Sequence, residues 1–182
     1  MRQRSLLIPA LLWLALVIAT LFTRPLWPLD ETRYASVAWD MWLRGDLLVP
    51  HLNGTPYSHK PPLLFWLIQI GWWLFGVNEW WPRLVPALFA LANLFLCAHL
   101  ARRLWPGERD IGPLAAWLLF GGLLWLALIG PLLFDMLLVF CVLLGMIGVL
   151  RAWAVRHGWS SWLIVGAAIG LGVLAKGPVR IT

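Results

Sequence analysis

Charge is sparse in this sequence. Asp, Glu, Lys and Arg make up 12% of its 182 residues, and only 8 of them are acidic. A typical soluble domain carries about twice that share of charge, so a domain of the aqueous phase is excluded. Cysteine is scarce as well. Cys97 and Cys141 are the only two, and both lie inside apolar runs, which excludes a disulfide scaffold and reads as small packed side chains rather than a metal pair. Internal repeats and low-complexity tracts are absent. What fills the chain is apolar: 62% hydrophobic residues, 15 tryptophans and a mean hydropathy of +0.81. These values belong to an integral membrane protein. A net charge of +6 would suggest nucleic acid in a soluble chain. Here the arginines stand at the ends of apolar runs, where membrane topology accounts for them, and nucleic acid is discarded.

Cutting the chain at its charges organises it. Residues 5–23 are uncharged between Arg4 and Arg24, and as a helix they reach about 28 Å, one hydrocarbon core. Arg2 and Arg4 precede this run and no small-x-small cleavage site follows, so it reads as an uncleaved signal anchor with a cytoplasmic N-terminus. Further uncharged runs cover 61–78, 84–101, 111–134, 136–150 and 157–175. If 61–78 crossed the membrane, Arg102 and Arg103 would lie outside and Asp135 would face away from Asp30. Laid in the interface instead, it leaves Arg102, Arg103, Arg109, Arg151 and Arg156 all inside, as the positive-inside rule requires. Its own sequence agrees, because Pro61 and Pro62 open it, Gln69 interrupts it and Gly76 ends it. The expected fold is therefore an all-α integral membrane protein with about five transmembrane helices, near 6–23, 82–103, 112–130, 134–152 and 159–176. The third and fourth part at Gly130-Pro131. An external first loop, 24–80, carries a helical stretch at 31–43 and the interfacial helix.

That topology brings Asp30, Glu31, Arg33, Lys60, Asp135 and Lys176 to one outer layer. In the loop and its flanks Arg24, Arg33, Arg44, Lys60 and Arg83 face Asp30, Glu31, Asp40, Asp46 and Glu79, and equal numbers predict a paired network. A long ordered loop of this kind usually has work to do.

Five segments then carry a resemblance: "LDETRYA", "GDLLVPHLNGTPYSHKPPL", "RLVPALFALANLFLCAHLARRLW", "FDMLLVF" and "AKGP". In this order the chain resembles the membrane glycosyltransferases of the GT-C fold, within the branch of the lipid A aminoarabinose transferase and the protein O-mannosyltransferases. Residues 1–182 would be the N-terminal transmembrane portion of such an enzyme, with the remainder of the family fold missing. The resemblance implies transfer of a sugar from a polyprenyl-phosphate donor to a lipid, glycan or protein acceptor of the cell envelope. It places the reaction on the external face of a membrane, the bacterial inner membrane, with membrane lipids as the surrounding partners.

The residue types fit that chemistry. Displacement at an anomeric carbon needs a carboxylate to take or orient an acceptor proton, and the resemblance assigns this to Asp30. A lipid phosphate leaving group needs fixed cations, matched here by Arg33 and Lys60. Asp135 matches the second acid of the family cleft, positioning acceptor or holding metal. Glu31, Tyr34, His59 and Lys176 are the remaining cleft candidates. Each has a plainer reading. Acids at 30 and 31 also suit the first turn of a helix, Lys60 and Lys176 suit snorkeling at an interface, and Asp135 suits a structural ion pair. His51 and His59 are a weak metal signal, and His59 stands where some relatives carry glutamate, so a divalent metal stays open and no cofactor is assigned. Asn53-Gly54-Thr55 fits a glycosylation sequon and is assigned nothing. The rival class is a non-enzymatic polytopic protein or transporter module. Transporters place ionisable groups near the midplane of interrupted helices, whereas these spans are almost free of them.

Overall fold

The computed structural model describes residues 4–154 and 159–177. In chain order the elements are α1 (Arg4–Thr23), α2 (Asp30–Arg44), β1 (His51–Leu52), β2 (Thr55–Pro56), α3 (Leu63–Phe75), α4 (Trp80–Leu104), α5 (Ile111–Phe120), α6 (Leu123–Ile129), α7 (Asp135–Ala154) and α8 (Trp159–Lys176). Among the described residues, helices α1, α4, α7 and α8 are each long and apolar enough to cross a membrane, and α5 with α6, bent by 69° at their junction, brings the number to five if the pair is counted as one span. The expected all-α membrane architecture is borne out. Helix α3 has 13 residues, about 20 Å, which is too short to cross and suits the interface.

The span expected as one helix over 112–130 is instead broken at Gly121-Gly122. The Gly121 N–H donates to Trp117 O at 2.8 Å and the Gly122 N–H to Leu119 O at 3.1 Å, which closes α5. Gly122 then turns extended, at ψ 121. Each glycine costs about 1 kcal/mol in a helix relative to alanine, so two in a row make a weak joint that packing can bend. The other boundaries move by a few residues. Helix α2 starts at Asp30 rather than 31, and α4 runs from Trp80 to Leu104.

Helix α7 lies between α8 and α4, while α5 and α1 pack on α4. Membrane helices gain little from hydrophobic burial against one another and pack through small residues. A β-carbon on Gly148 of α7 would meet Val165 Cγ2 at 2.8 Å, and one on Gly112 of α5 would meet Ala98 O at 2.9 Å. A polar tether adds to this: the Trp13 indole N–H of α1 donates to Ala87 O of α4 at 2.9 Å in the buried interior.

The loop between α1 and α4 folds into a cap over one end of this bundle. Helix α2 is amphipathic, and Tyr34, Val37, Ala38 and Met41 fall on one face at helical spacing. That face is buried with Leu64, Phe65 and Ile68 of α3 and with Leu132 and Phe134 from the α6–α7 corner. Gly45, at φ 67, ends α2. The hairpin β1–β2 turns on Asn53 (φ 52) and Gly54 (φ 82), both in the left-handed region that a tight two-residue turn requires. The sequon thus forms a hairpin turn. At the far end of the bundle lie Arg102, Arg103 and Arg151, since α4 and α7 both run away from the cap.

Candidate active site under the cap

The site starts at a turn. Leu29 sits at φ 79, in a region where a side chain costs about 1–3 kcal/mol, and this turn lets Asp30 begin α2. What holds it is the next residue. Glu31 is 1% exposed. Its carboxylate takes both terminal nitrogens of Arg24 at 2.9 Å each, the Trp27 N–H at 2.6 Å and the Leu132 N–H at 2.5 Å. Arg24 also donates to Gly130 O at 3.1 Å, and Arg83 of α4 donates to Arg24 O at 2.5 Å. Glu31, a cleft candidate in the sequence, therefore lies behind the cleft, knotting α1, α2, α4 and the α6–α7 corner together.

In front of the knot, Asp30 and Arg33 pair one turn apart on α2, both partly exposed. Tyr34 lies between them and the bundle, 4% exposed. Its ring meets Phe134 edge-on at 5.0 Å, and the Arg33 guanidinium carbon lies 5.4 Å from its centroid. Phe134 is the hub of the site. Phe65 meets it edge-on at 5.6 Å, and the Lys60 ammonium lies 5.6 Å from the centre of its ring. Asp135 follows directly and accepts from Lys176 Nζ at 2.6 Å, both partly exposed. Gly177 closes this side, since a β-carbon there would lie 3.2 Å from Pro61 Cγ, which seats the end of α8 against the entry to α3.

Two acid–base pairs, Asp30 with Arg33 and Asp135 with Lys176, thus flank a central cation on an aromatic ring. Among the described residues Lys60 has no carboxylate partner. The expected full pairing of the loop charges is therefore incomplete. Arg24, Arg33 and Arg44 take Glu31, Asp30 and Asp40, Arg83 is spent on backbone carbonyls, and Lys60 remains. Of these five cations, Lys60 is the one that meets an aromatic ring in place of an acid or a carbonyl among the described residues.

Tyr57 was not among the residues picked from the sequence. It is 7% exposed, and His59, exposed, leans on its ring at 5.3 Å. Burial pushes both phenols above the usual tyrosine range. For Tyr34 the carboxylates of Asp30 and Asp135 push the same way, against the Arg33 hydrogen bond and charge. For Tyr57 the Arg33 charge opposes the rise and Asp30 reinforces it. One signal was available: the chain has only two tyrosines, and both stand here. His51 is turned back to the bend that precedes its strand, Nδ1 contacting Val49 O at 2.8 Å. Among the described residues no three His, Cys, Asp or Glu side chains converge as metal ligands.

Comparison with known proteins bears on this geometry. The family model described as dolichyl-phosphate-mannose-protein mannosyltransferase matches residues 59–181. The undecaprenyl phosphate-alpha-4-amino-4-deoxy-L-arabinose arabinosyl transferase 1 of Pseudomonas fluorescens is 35% identical over 161 residues, which cover 86% of this chain and 29% of that protein. The corresponding transferase of Pseudomonas aeruginosa is 35% identical over 156 residues, 84% of this chain and 28% of that one. The crystal structure of ArnT from Cupriavidus metallidurans bound to undecaprenyl phosphate superposes with a TM-score of 0.78 at 28% identity, over 95% of this chain and 32% of that chain. Its apo state gives 0.74 at 26% identity, over 97% and 33%. The chain thus spans about a third or less of the length of the relatives it matches.

Proposed function

The chain belongs to the dolichyl-phosphate-mannose-protein mannosyltransferase family, and from that premise we propose that it forms the donor-phosphate and acid–base part of a glycosyltransferase using a polyprenyl-phosphate sugar. The observation that carries this reading is Lys60, a cation without a carboxylate partner among the described residues, seated on Phe134 between two acid–base pairs. The relatives act, by name, with an undecaprenyl-phosphate-linked amino sugar, and a lipid phosphate is the anion that the seat would take.

In the proposed reaction Lys60 and Arg33 face the donor phosphate. Negative charge grows there as the bond to the anomeric carbon breaks, and both cations contribute most in the transition state. The carboxylate of Asp30, partly exposed beside Arg33, takes the proton of an acceptor hydroxyl or orients an acceptor already ionised. Its ion pair with Arg33 fixes where that carboxylate sits. Asp135, held by Lys176, positions the acceptor or the amino sugar. Tyr34 and Tyr57, buried and protonated, form the floor beneath the phosphate. The acceptor is a lipid, glycan or protein of the cell envelope. The site faces the outside of the bacterial inner membrane, because Arg102, Arg103, Arg109 and Arg151 gather at the other end and cytoplasmic ends are the basic ones.

The test is binding of undecaprenyl phosphate to the purified chain in neutral detergent, read by native mass spectrometry. A charge-assisted contact contributes about 1.5–3 kcal/mol, so Lys60→Ala should weaken binding about ten- to a hundredfold. Equal affinity in the parent and the variant overturns the reading.

A further inference from the structure

At the end of the bundle away from the cap, a narrow cavity of about 180 Å³ opens between the last turns of α4 and α7. Its polar lining is Arg103 and Arg151, and its apolar lining includes Leu104, Leu150 and Trp153. Among the described residues neither arginine has an ion pair or a side-chain hydrogen bond. Both are exposed, and Trp153 projects beside them, 83% exposed, where an indole marks the headgroup level of a bilayer. Arg151 is 16 residues along α7 from Asp135, about 24 Å of helix, so this cavity is separate from the proposed active site. Topology alone accounts for arginines at this end of the bundle. It does not account for two of them from different helices lining one apolar-walled cavity with no ion pair to either among the described residues.

We propose that this cavity is a binding site for the phosphate of an anionic phospholipid. Guanidinium groups present planar pairs of N–H donors that match phosphate oxygens two at a time. Basic pockets between spans bind lipid headgroups by this chemistry. The walls of Leu104, Leu150 and Trp153 give the first methylenes of the acyl chains an apolar surface, which a free phosphate ion would not use. That difference assigns the site to a lipid rather than to an inorganic anion.

The experiment uses the purified chain in neutral detergent, with phosphatidylglycerol, phosphatidylcholine or inorganic phosphate added at matched concentration. Bound lipid is counted by native mass spectrometry, and thermal stability is recorded beside it. Phosphatidylglycerol should be retained and should raise the melting temperature, phosphatidylcholine and phosphate should do neither, and the Arg103→Gln, Arg151→Gln double variant should bind phosphatidylglycerol about tenfold or more weakly. Arg44→Gln, at the cap end, should bind as the parent does. Should the double variant fold poorly, Arg103→Lys, Arg151→Lys keeps the charge and removes the fork; it should retain part of the affinity. Unchanged retention in both double variants, or no preference over phosphatidylcholine, overturns the proposal. Equal stabilisation by inorganic phosphate overturns the lipid assignment.

Discussion

Arg24 grips Glu31 through both of its terminal nitrogens at 2.9 Å, and the grip sits where the first span, the cap and the α6–α7 corner meet. Removing one partner of a buried pair leaves the other charge unpaired, at about 3–5 kcal/mol. Glu31→Ala should therefore lower stability by about that amount, and it also strands the N–H groups of Trp27 and Leu132. Glu31→Gln keeps the shape and part of the hydrogen bonding, so its loss should be smaller. Thermal denaturation in detergent checks both, and a Glu31→Ala protein as stable as the parent would show that the knot is not what holds the cap.

The two phenols offer a direct reading of the site. Both tyrosines of the chain are held above their ordinary range by burial. A folded-state pKa raised above the unfolded value near 10 means that the stabilisation is fully present below about pH 10 and is lost as pH rises through the folded pKa. Tyrosinate absorbance should appear at higher pH in the folded protein than in the denatured chain. Tyr34→Phe should leave a single late titration, that of Tyr57. Ordinary titration of either residue in the folded protein would contradict its burial.

For Asp30 the expected outcome separates chemistry from binding. Asp30→Asn keeps the size of the side chain and removes its charge. In membranes that carry the transferring protein, turnover should fall about 10²- to 10⁴-fold while undecaprenyl phosphate still binds. Loss of a helix-start acid alone would change stability by about 1 kcal/mol or less and leave turnover per folded molecule intact. Parent-rate transfer by this variant ends its catalytic assignment.

Gly71 tests the seat of the interfacial helix. A β-carbon on it would fall 1.8 Å from Trp81 Nε1, and that nitrogen is engaged with Leu67 O at 3.0 Å. Gly71→Ala must push the indole out, which breaks this bond and costs about 1–3 kcal/mol for overpacking. A lower melting temperature with a changed near-ultraviolet tryptophan spectrum is expected. Parent-like values for both would mean that α3 and α4 do not pack this closely.

Much of this architecture is legible in the sequence because lipid imposes one rule: uncharged runs of sufficient length form spanning helices. The short run after Pro61-Pro62 yields to the same reasoning, since its 13-residue helix cannot cross. The bend at Gly121-Gly122 is harder to read, because two glycines permit a break without demanding one. Both halves of the bent pair contact α4, a tertiary arrangement that the local sequence does not spell out. At the site, Asp30, Arg33, Lys60, Asp135 and Lys176 are all found in one layer. Which charges pair is not written in their spacing. Glu31 and Asp30 are neighbours in the same motif, yet helical rotation turns one into the bundle and the other toward the surface. Phe134 could be found only as part of its motif, because an aromatic in an apolar run looks the same whether it fills a core or carries a cation.

The knot around Glu31 also bears on how the protein is made. Its partners are unequal in sequence distance: Arg24 is 7 residues away and Leu132 is 101. At ribosomal rates of about 5–20 residues per second, the chain emerges with Glu31 waiting roughly 5–20 s for Leu132. Arg24 is there from the outset. The local partner can shield the carboxylate through insertion of the middle spans, and the distant one closes the cap only when the α6–α7 corner arrives. Arg24 thus guards an unfinished fold before it braces a finished one, so its loss should show first as poor yield during synthesis, ahead of any change in the mature protein's melting.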